Sequence, residues 1–336
     1  MASHSIHILG IESSCDDTSV SIVTDGKVLS NFTISQWIHQ KYGGVVPEAA
    51  SRLHVESIVE LTAAALTQAG IEKKQLSAVA VTRGPGLIGS LLVGISFAKS
   101  LSLSLQIPII EVNHLQAHVM SLFIDQAPRF PMIGMTVSGG HTQLLLIRDY
   151  ADFEILGQTL DDAAGEAFDK TGKLLGLPYP AGPEMDKWSK SGSVRFPFPI
   201  AQVADYGFSF SGLKTAVLYF LKDQLKQDPQ FIENNLADLC ASVQDNICKT
   251  LLIKLKKAAI QYEVRSVGVA GGVSANSQLR KELQELCTLH EWQLLVPKLS
   301  YCVDNGAMIA WTGYHKFLKG QFVDDRFPPL ARYPII

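Results

Sequence analysis

One pattern, written twice, limits what this chain of 336 residues can fold into. Ile8-Leu-Gly-Ile-Glu-Ser-Ser-Cys-Asp-Asp-Thr-Ser-Val-Ser-Ile-Val23 passes from an apolar run through a small polar turn into an alternating apolar run, which predicts a β-hairpin. Ile133-Gly-Met-Thr-Val-Ser-Gly-Gly-His-Thr-Gln-Leu-Leu-Leu-Ile147 has the same shape. Each hairpin is followed later by an apolar strand, a glycine-rich turn and a helix: Leu76 to Gly86 then Leu87 to Leu103, and Ser266 to Ser274 then Ala275 to Leu286. The chain is therefore expected to form two similar α/β halves, with a ligand site in the cleft where they face each other.

Further helices are predicted over Val55 to Ala69, stopped by Gly70, over Leu236 to Ala259, and over Val303 to Leu318 beginning beside Asp304. The longest uncharged apolar stretch, Gly86 to Ala98, falls short of the roughly 18 residues a spanning helix needs, so no membrane anchor is expected. Met1 to His7 contain no Lys or Arg, which predicts neither a secretory leader nor a transit peptide and places the chain in the cytoplasm. Five cysteines, an odd number with no CxxC pair, read as reduced and mostly buried thiols. A formal net charge of −3 argues against a free-standing nucleic-acid binder but not against a local basic patch. Lys249, Lys254, Lys256 and Lys257 are the one candidate, and such a run on a helix reads first as a solvated face.

Three clusters carry chemistry. Val137-Ser-Gly-Gly-His141 at a hairpin tip and Gly271-Gly272 before a helix offer backbone N–H groups to an anion, without the spacing of a Walker or Rossmann loop. Either turn alone is an ordinary loop. At equivalent points of a repeat, the two together point to a nucleotide or phosphorylated ligand.

Asn113-His114-Leu-Gln-Ala-His118 sets two imidazoles one helical turn apart, a spacing that suits one metal ion. No glutamate stands between them, so the metalloprotease reading lacks its base. Asp304, in Tyr301-Cys-Val-Asp-Asn-Gly306, is the best candidate for a third ligand. Two histidines and a carboxylate leave open positions and suit iron, zinc or another divalent ion alike. The third cluster is acidic: Asp162, Glu166, Asp169 and Lys173 would share one helical stripe, either as a self-paired surface or with a carboxylate for ribose hydroxyls. Glu12 and Asp16-Asp17 add further carboxylates.

Together these segments, with Tyr42-Gly-Gly-Val-Val-Pro-Glu48, Thr82-Arg-Gly-Pro-Gly-Leu87, Phe208-Ser-Phe-Ser-Gly-Leu-Lys214 and Ala270-Gly-Gly-Val-Ser-Ala-Asn276, closely resemble the tRNA N6-adenosine threonylcarbamoyltransferase family from about residue 6 to residue 320. The resemblance implies an α/β fold of the duplicated actin-like ATPase class shared by actin, sugar kinases and Hsp70. It divides the chain into residues 1–130 and 131–336, with a helical insertion over about 163–260 and a last helix at 303–319 packing back toward the first half. It also implies transfer of a threonylcarbamoyl group from threonylcarbamoyl-adenylate to N6 of the adenosine beside the anticodon, in tRNAs reading codons that begin with A, with release of AMP.

By the same resemblance the metal ligands fall on His114, His118 and Asp304, with iron the expected ion and zinc or another divalent ion as alternatives. The adenylate-binding positions fall on Thr136, Val137, Ser138, Gly139, Gly140, Asp169, Gly182, Asp186 and Asn276, and Glu12 is the candidate catalytic base. The expected partners are tRNA, an inactive paralogue of the same fold and a small ATPase, with no membrane. A noncatalytic scaffold of this fold and a sugar or acetate kinase are the rival readings. The three metal ligands have no role in either.

Overall fold

The computed structural model describes residues 5–36, 38–39 and 44–335, so Tyr42 and Gly43 of the motif ending at Glu48 lie outside the described residues. The chain divides into two units, Met1–Ala127 with Pro297–Ile336, and Pro128–Val296.

In the first unit the predicted hairpin is β1 (His7–Glu12) and β2 (Asp17–Thr24), and β3 (Lys27–Ser35) continues the antiparallel meander. β4 (Ala78–Gly84) and β5 (Ile109–Asn113) add in parallel on the other side of β1, for an order β3-β2-β1-β4-β5. Both sheet faces are covered, which is why β1 and β4 are apolar almost throughout instead of alternating. Leu9, Ile11, Val79 and Val81 face α1 (Pro47–Ala69) and α2 (Ile88–Leu105), meeting Ile58, Leu61, Leu91 and Ile95. Ile8, Ala78, Ala80 and Ile110 face the other way, toward Ala117 of α3 (His114–Met120) and Met308 and Ile309 of α9 (Gly306–Leu318).

Three sequence expectations change here. α1 starts at Pro47, eight residues before Val55, with proline in the first turn where its missing N–H costs nothing. Gly70 ends it with φ of 67°. α2 runs through Lys99 for 18 residues, so by length and composition alone it is apolar enough to cross a membrane. Instead Leu91, Ile95 and Ala98 pack on the sheet, and Lys99 Nζ donates to the Phe327 carbonyl at 2.8 Å. Finally, α9 begins at Gly306, capped by Asn305, whose side chain accepts from the Met308 N–H at 2.9 Å. Asp304 lies just ahead of the cap and does not open the helix.

The second unit repeats the plan. β6 (Met132–Val137), β7 (Thr142–Asp149) and β8 (Asp152–Gln158) form an antiparallel meander, and β9 (Ser266–Ala270) and β10 (Gln293–Leu295) extend it in parallel, for the order β10-β9-β6-β7-β8. Between β8 and β9 lie α4 (Ala164–Leu174), α5 (Ala181–Ser189), α6 (Ser211–Leu225) and α7 (Phe231–Gln261); α8 (Ser277–His290) joins β9 to β10. α7 starts five residues earlier than predicted and bends at Asn235, where φ is −123°.

Two more readings are corrected in this unit. Asp162 precedes α4 and reaches it only by pairing with Lys170 at 2.7 Å, so the acidic stripe is shorter than the sequence implied. The solvated face read for the lysines of α7 is engaged in part: exposed Lys249 pairs with Asp245 at 2.8 Å, and half-buried Lys254 Nζ donates to the carbonyls of Val203 at 2.6 Å and Asp205 at 3.0 Å. None of the five cysteines is in a disulfide, and four of them are buried.

Candidate metal centre and anion cradle

The metal centre lies entirely in the first unit. Asn113 caps α3, its Oδ1 accepting from the N–H groups of Leu115 at 2.9 Å and Gln116 at 3.0 Å, and this fixes the helix that carries both histidines. His114 and His118 stand edge to face with ring centroids 4.7 Å apart. Their Nε2 atoms converge on one atom, Asp304 Oδ1, at 3.4 Å from His114 and 3.0 Å from His118. All three ligand atoms lie within 4.8 Å of one another. The helix supplies the pair by its own periodicity; the carboxylate arrives from 186 residues further along the chain.

Glu12, at the end of β1, is fully buried. Its Oε1 accepts from the Ser14 N–H at 2.6 Å, while Oε2 accepts from the Thr82 hydroxyl at 2.6 Å and lies 3.0 Å from His114 Nδ1. A carboxylate so enclosed is poorly placed to take a proton from an incoming amine, which the general-base expectation required.

Burial would lower the His114 pKa, but Asp304 and Glu12 outweigh it and hold the imidazole protonated well above its ordinary range. Burial likewise opposes ionisation of Glu12 and Asp304, but His114 keeps Glu12 below the ordinary carboxylate range, and His114 with His118 does the same for Asp304. Asp17 has no such partner: burial, then the charges of Asp304 and Asp16, push it up to about 7. Converging imidazole nitrogens and a carboxylate oxygen, set among crowded carboxylates, fit a divalent cation. His114 must be neutral to coordinate it, so metal uptake is expected to release protons.

Asp17 makes the pH dependence testable. Its folded pKa lies above the ordinary carboxylate value of about 3.9, so metal-free folded protein holds a proton that the unfolded chain has lost, and stability falls as pH rises from about 4 to about 7. Asp17→Asn removes that slope. Urea unfolding of the metal-free variant at pH 8 is expected to give a midpoint above the parent's, with the difference closing toward pH 4; a constant difference would refute the assignment.

The second unit holds a cradle of backbone. In the β6–β7 turn the Ser138 N–H donates to the His141 carbonyl at 2.8 Å, and the His141 N–H donates to Ser138 Oγ at 3.1 Å. Glycines wall its back. A Cβ on Gly271, where φ is 88°, would stand 2.5 Å from the Val137 carbonyl oxygen, and one on Gly165 would stand 2.6 Å from that of Ser138. Gly139, Gly140 and Gly272 face open space instead. Thr136 and Val137 are buried in β6, leaving their backbone as the part nearest the turn.

The polar residues expected at the adenylate are brought to this region, but each already serves a helix start. Asp169 accepts from the Ala181 N–H at 2.7 Å at the beginning of α5, beside Gly182, whose N–H also bonds it. Asp186 Oδ1 accepts from the Ser277 N–H at 3.0 Å and its hydroxyl at 2.8 Å, while Asn276 caps α8 through the Leu279 N–H at 3.0 Å and donates to Gln244 at 2.7 Å. The start of α8 is thereby fixed in place, and helix starts favour phosphate.

Several residues of these networks escaped the sequence reading. Gln244 gave no local signal. Asp161 gave no sign of its role: it accepts from the N–H groups of Phe210 at 2.8 Å and Ser211 at 3.3 Å and from the Ser209 hydroxyl at 2.6 Å, tying these three residues at the start of α6. Asn113 did have a signal: an asparagine just before a helix is a cap.

Two units of one strand order, with a histidine-carboxylate cluster able to hold a cation in the first and a glycine-walled turn in the second, have the layout of the duplicated actin-like ATPase fold. Solved structures of that fold superpose on most of the chain. Full-length HypF in its phosphate- and nucleotide-bound form gives a TM-score of 0.62 at 14% identity over 95% of this chain and 47% of its own. Component A of the (R)-2-hydroxyglutaryl-CoA dehydratase of Acidaminococcus fermentans gives 0.55 at 14% identity over 93% and 98%. In sequence, the family model described as tRNA N6-adenosine threonylcarbamoyltransferase matches residues 27–311. Proteins of that name from Christiangramia forsetii and Phocaeicola vulgatus are each 52% identical to the chain, over 99% of both lengths for the first and over 98% and 99% for the second. The chain belongs to the tRNA N6-adenosine threonylcarbamoyltransferase family, a family of acyltransferases.

Proposed function

We propose that this protein transfers the threonylcarbamoyl group of threonylcarbamoyl-adenylate to N6 of the adenosine beside the anticodon in tRNAs reading codons that begin with A, releasing AMP. The observation that carries the reading is the convergence of His114, His118 and Asp304 at one point, within a chain of this family. A metal ion held there would polarise the acyl carbonyl. We take iron as the expected ion on family resemblance, with zinc or another divalent ion as alternatives.

The chain's own groups do the rest. The open backbone at Gly139, Gly140 and Gly272 and the start of α8 bind the adenylate phosphate, while Asn276 and Asp186 keep that helix start in place and Asp169 holds the start of α5. An exocyclic adenine amine is a weak nucleophile, so orientation against the carbonyl supplies much of the rate. The N6–C bond forms, the bond from acyl carbon to phosphate oxygen breaks, AMP leaves with the electron pair, and the amine proton passes to solvent.

With a net charge of −3 the chain offers little basic surface, so tRNA docks on an assembly that includes an inactive paralogue of the same fold and a small ATPase, in the cytoplasm. Incubation with those partners, threonylcarbamoyl-adenylate and unmodified tRNA, then digestion and mass spectrometry, should yield threonylcarbamoyladenosine, and His114→Ala should remove it. No product, with the partners active beside another family member, would favour a scaffold.

A further inference from the structure

His114 and His118 are not held alike. His118 Nδ1 is buried with no hydrogen-bond partner among the described residues, whereas His114 Nδ1 faces Glu12 Oε2 at 3.0 Å. Glu12 cannot swing away, because the Ser14 N–H and the Thr82 hydroxyl, from a different strand, each hold one of its oxygens at 2.6 Å. We infer that Glu12 is a positioning residue for the metal centre: as a fixed acceptor behind His114 it keeps the ring proton on Nδ1 and aims the Nε2 lone pair at the point shared with His118 and Asp304.

The physical reason is the two-sidedness of imidazole. A neutral ring carries one N–H, and the partner of one nitrogen decides which nitrogen is left to bind a metal. Ser14 Oγ, 3.2 Å from the same nitrogen, is also able to donate to it, which would place the ring proton on Nε2 and remove the ligand. Glu12 Oε2 lies nearer and already accepts from the Thr82 hydroxyl while Oε1 accepts from the Ser14 N–H, so it faces the ring as an acceptor and decides the matter. Glu12 thus acts through His114 without touching the acyl donor or the tRNA.

The inference rests on the metal reading proposed above, and its test separates the two. Metal-free parent, Glu12→Gln and Glu12→Asp would be titrated with Zn2+ against a chromophoric chelator, with thermal unfolding of each metal-free protein recorded alongside. The amide of Glu12→Gln donates to Nδ1, moves the proton to Nε2 and is expected to weaken Zn2+ about 10- to 100-fold. Glu12→Asp keeps an acceptor and should recover most of the affinity. In the Zn2+-loaded parent, long-range 15N spectra should place the His114 proton on Nδ1. Should Glu12→Gln not fold, Thr82→Val, which frees Oε2 of its second donor, is expected to weaken Zn2+ severalfold. Parent-like affinity in a folded Glu12→Gln or Thr82→Val, or an Nε2 proton in the loaded parent, would overturn the positioning role alone. A parent that takes up no metal would remove the metal reading and this inference with it.

Discussion

Asp304→Ala is expected to lower metal affinity by more than about a hundredfold and threonylcarbamoyl transfer by at least a similar factor, since a ligand should matter at least as much as the groups behind it. Asp304 Oδ1 is the one atom toward which both imidazole Nε2 atoms point, at 3.4 Å and 3.0 Å. Without it two neutral donors remain, on a helix whose geometry is unchanged because Asn113 still caps it. A hundredfold loss in rate is about 2.7 kcal/mol of transition-state stabilisation, within what polarising one carbonyl supplies. The measurements are metal per chain by mass spectrometry after dialysis and single-turnover transfer with saturating adenylate. Transfer at the parent rate by a metal-free variant would refute a catalytic role for the centre.

Gly10→Val should destabilise the protein by roughly 3 kcal/mol or more, near the upper end of what overpacking costs. A Cβ at Gly10 would stand 2.3 Å from the Ala310 N and 2.6 Å from the Gly306 carbonyl oxygen. Both are backbone atoms, so no side chain can rotate aside and α9 as a whole must lift from β1. The contact is built the same way from the helix side, since a Cβ at Gly306 would stand 2.7 Å from the Ser21 N and one at Gly313 2.4 Å from Ala80 Cβ. Because Asp304 leads directly into α9, the variant should lose metal affinity as well as stability. Urea midpoints and metal titration read the two effects, and a parent-like value in both would show that the helix does not need this close approach.

Much of the fold was written in local pattern. Both hairpins show strands of the kind their apolar runs predicted, and β4 and β9 each lead through glycines toward a helix, because strand and helix periods are properties of neighbouring residues. The i,i+4 histidine pair was legible for the same reason. Element starts were less so. α1 reaches back to Pro47 through Glu48, Arg52 and other residues that look like loop, and α9 starts after Asp304 because the neighbouring Asn305 takes the cap.

The sequence by itself determined the repeat, the two glycine turns, the histidine pair and the family. The tertiary structure alone decided what each carboxylate does: Asp304 meets the imidazoles, Glu12 is locked behind one of them, Asp17 bonds Ser35 but meets no imidazole, Asp161 accepts at the start of α6, and Asp169 and Asp186 hold the starts of α5 and α8. A carboxylate's chemistry is set by which donors reach it and how much water remains, and both depend on residues tens to hundreds of positions away that only packing brings within hydrogen-bond distance.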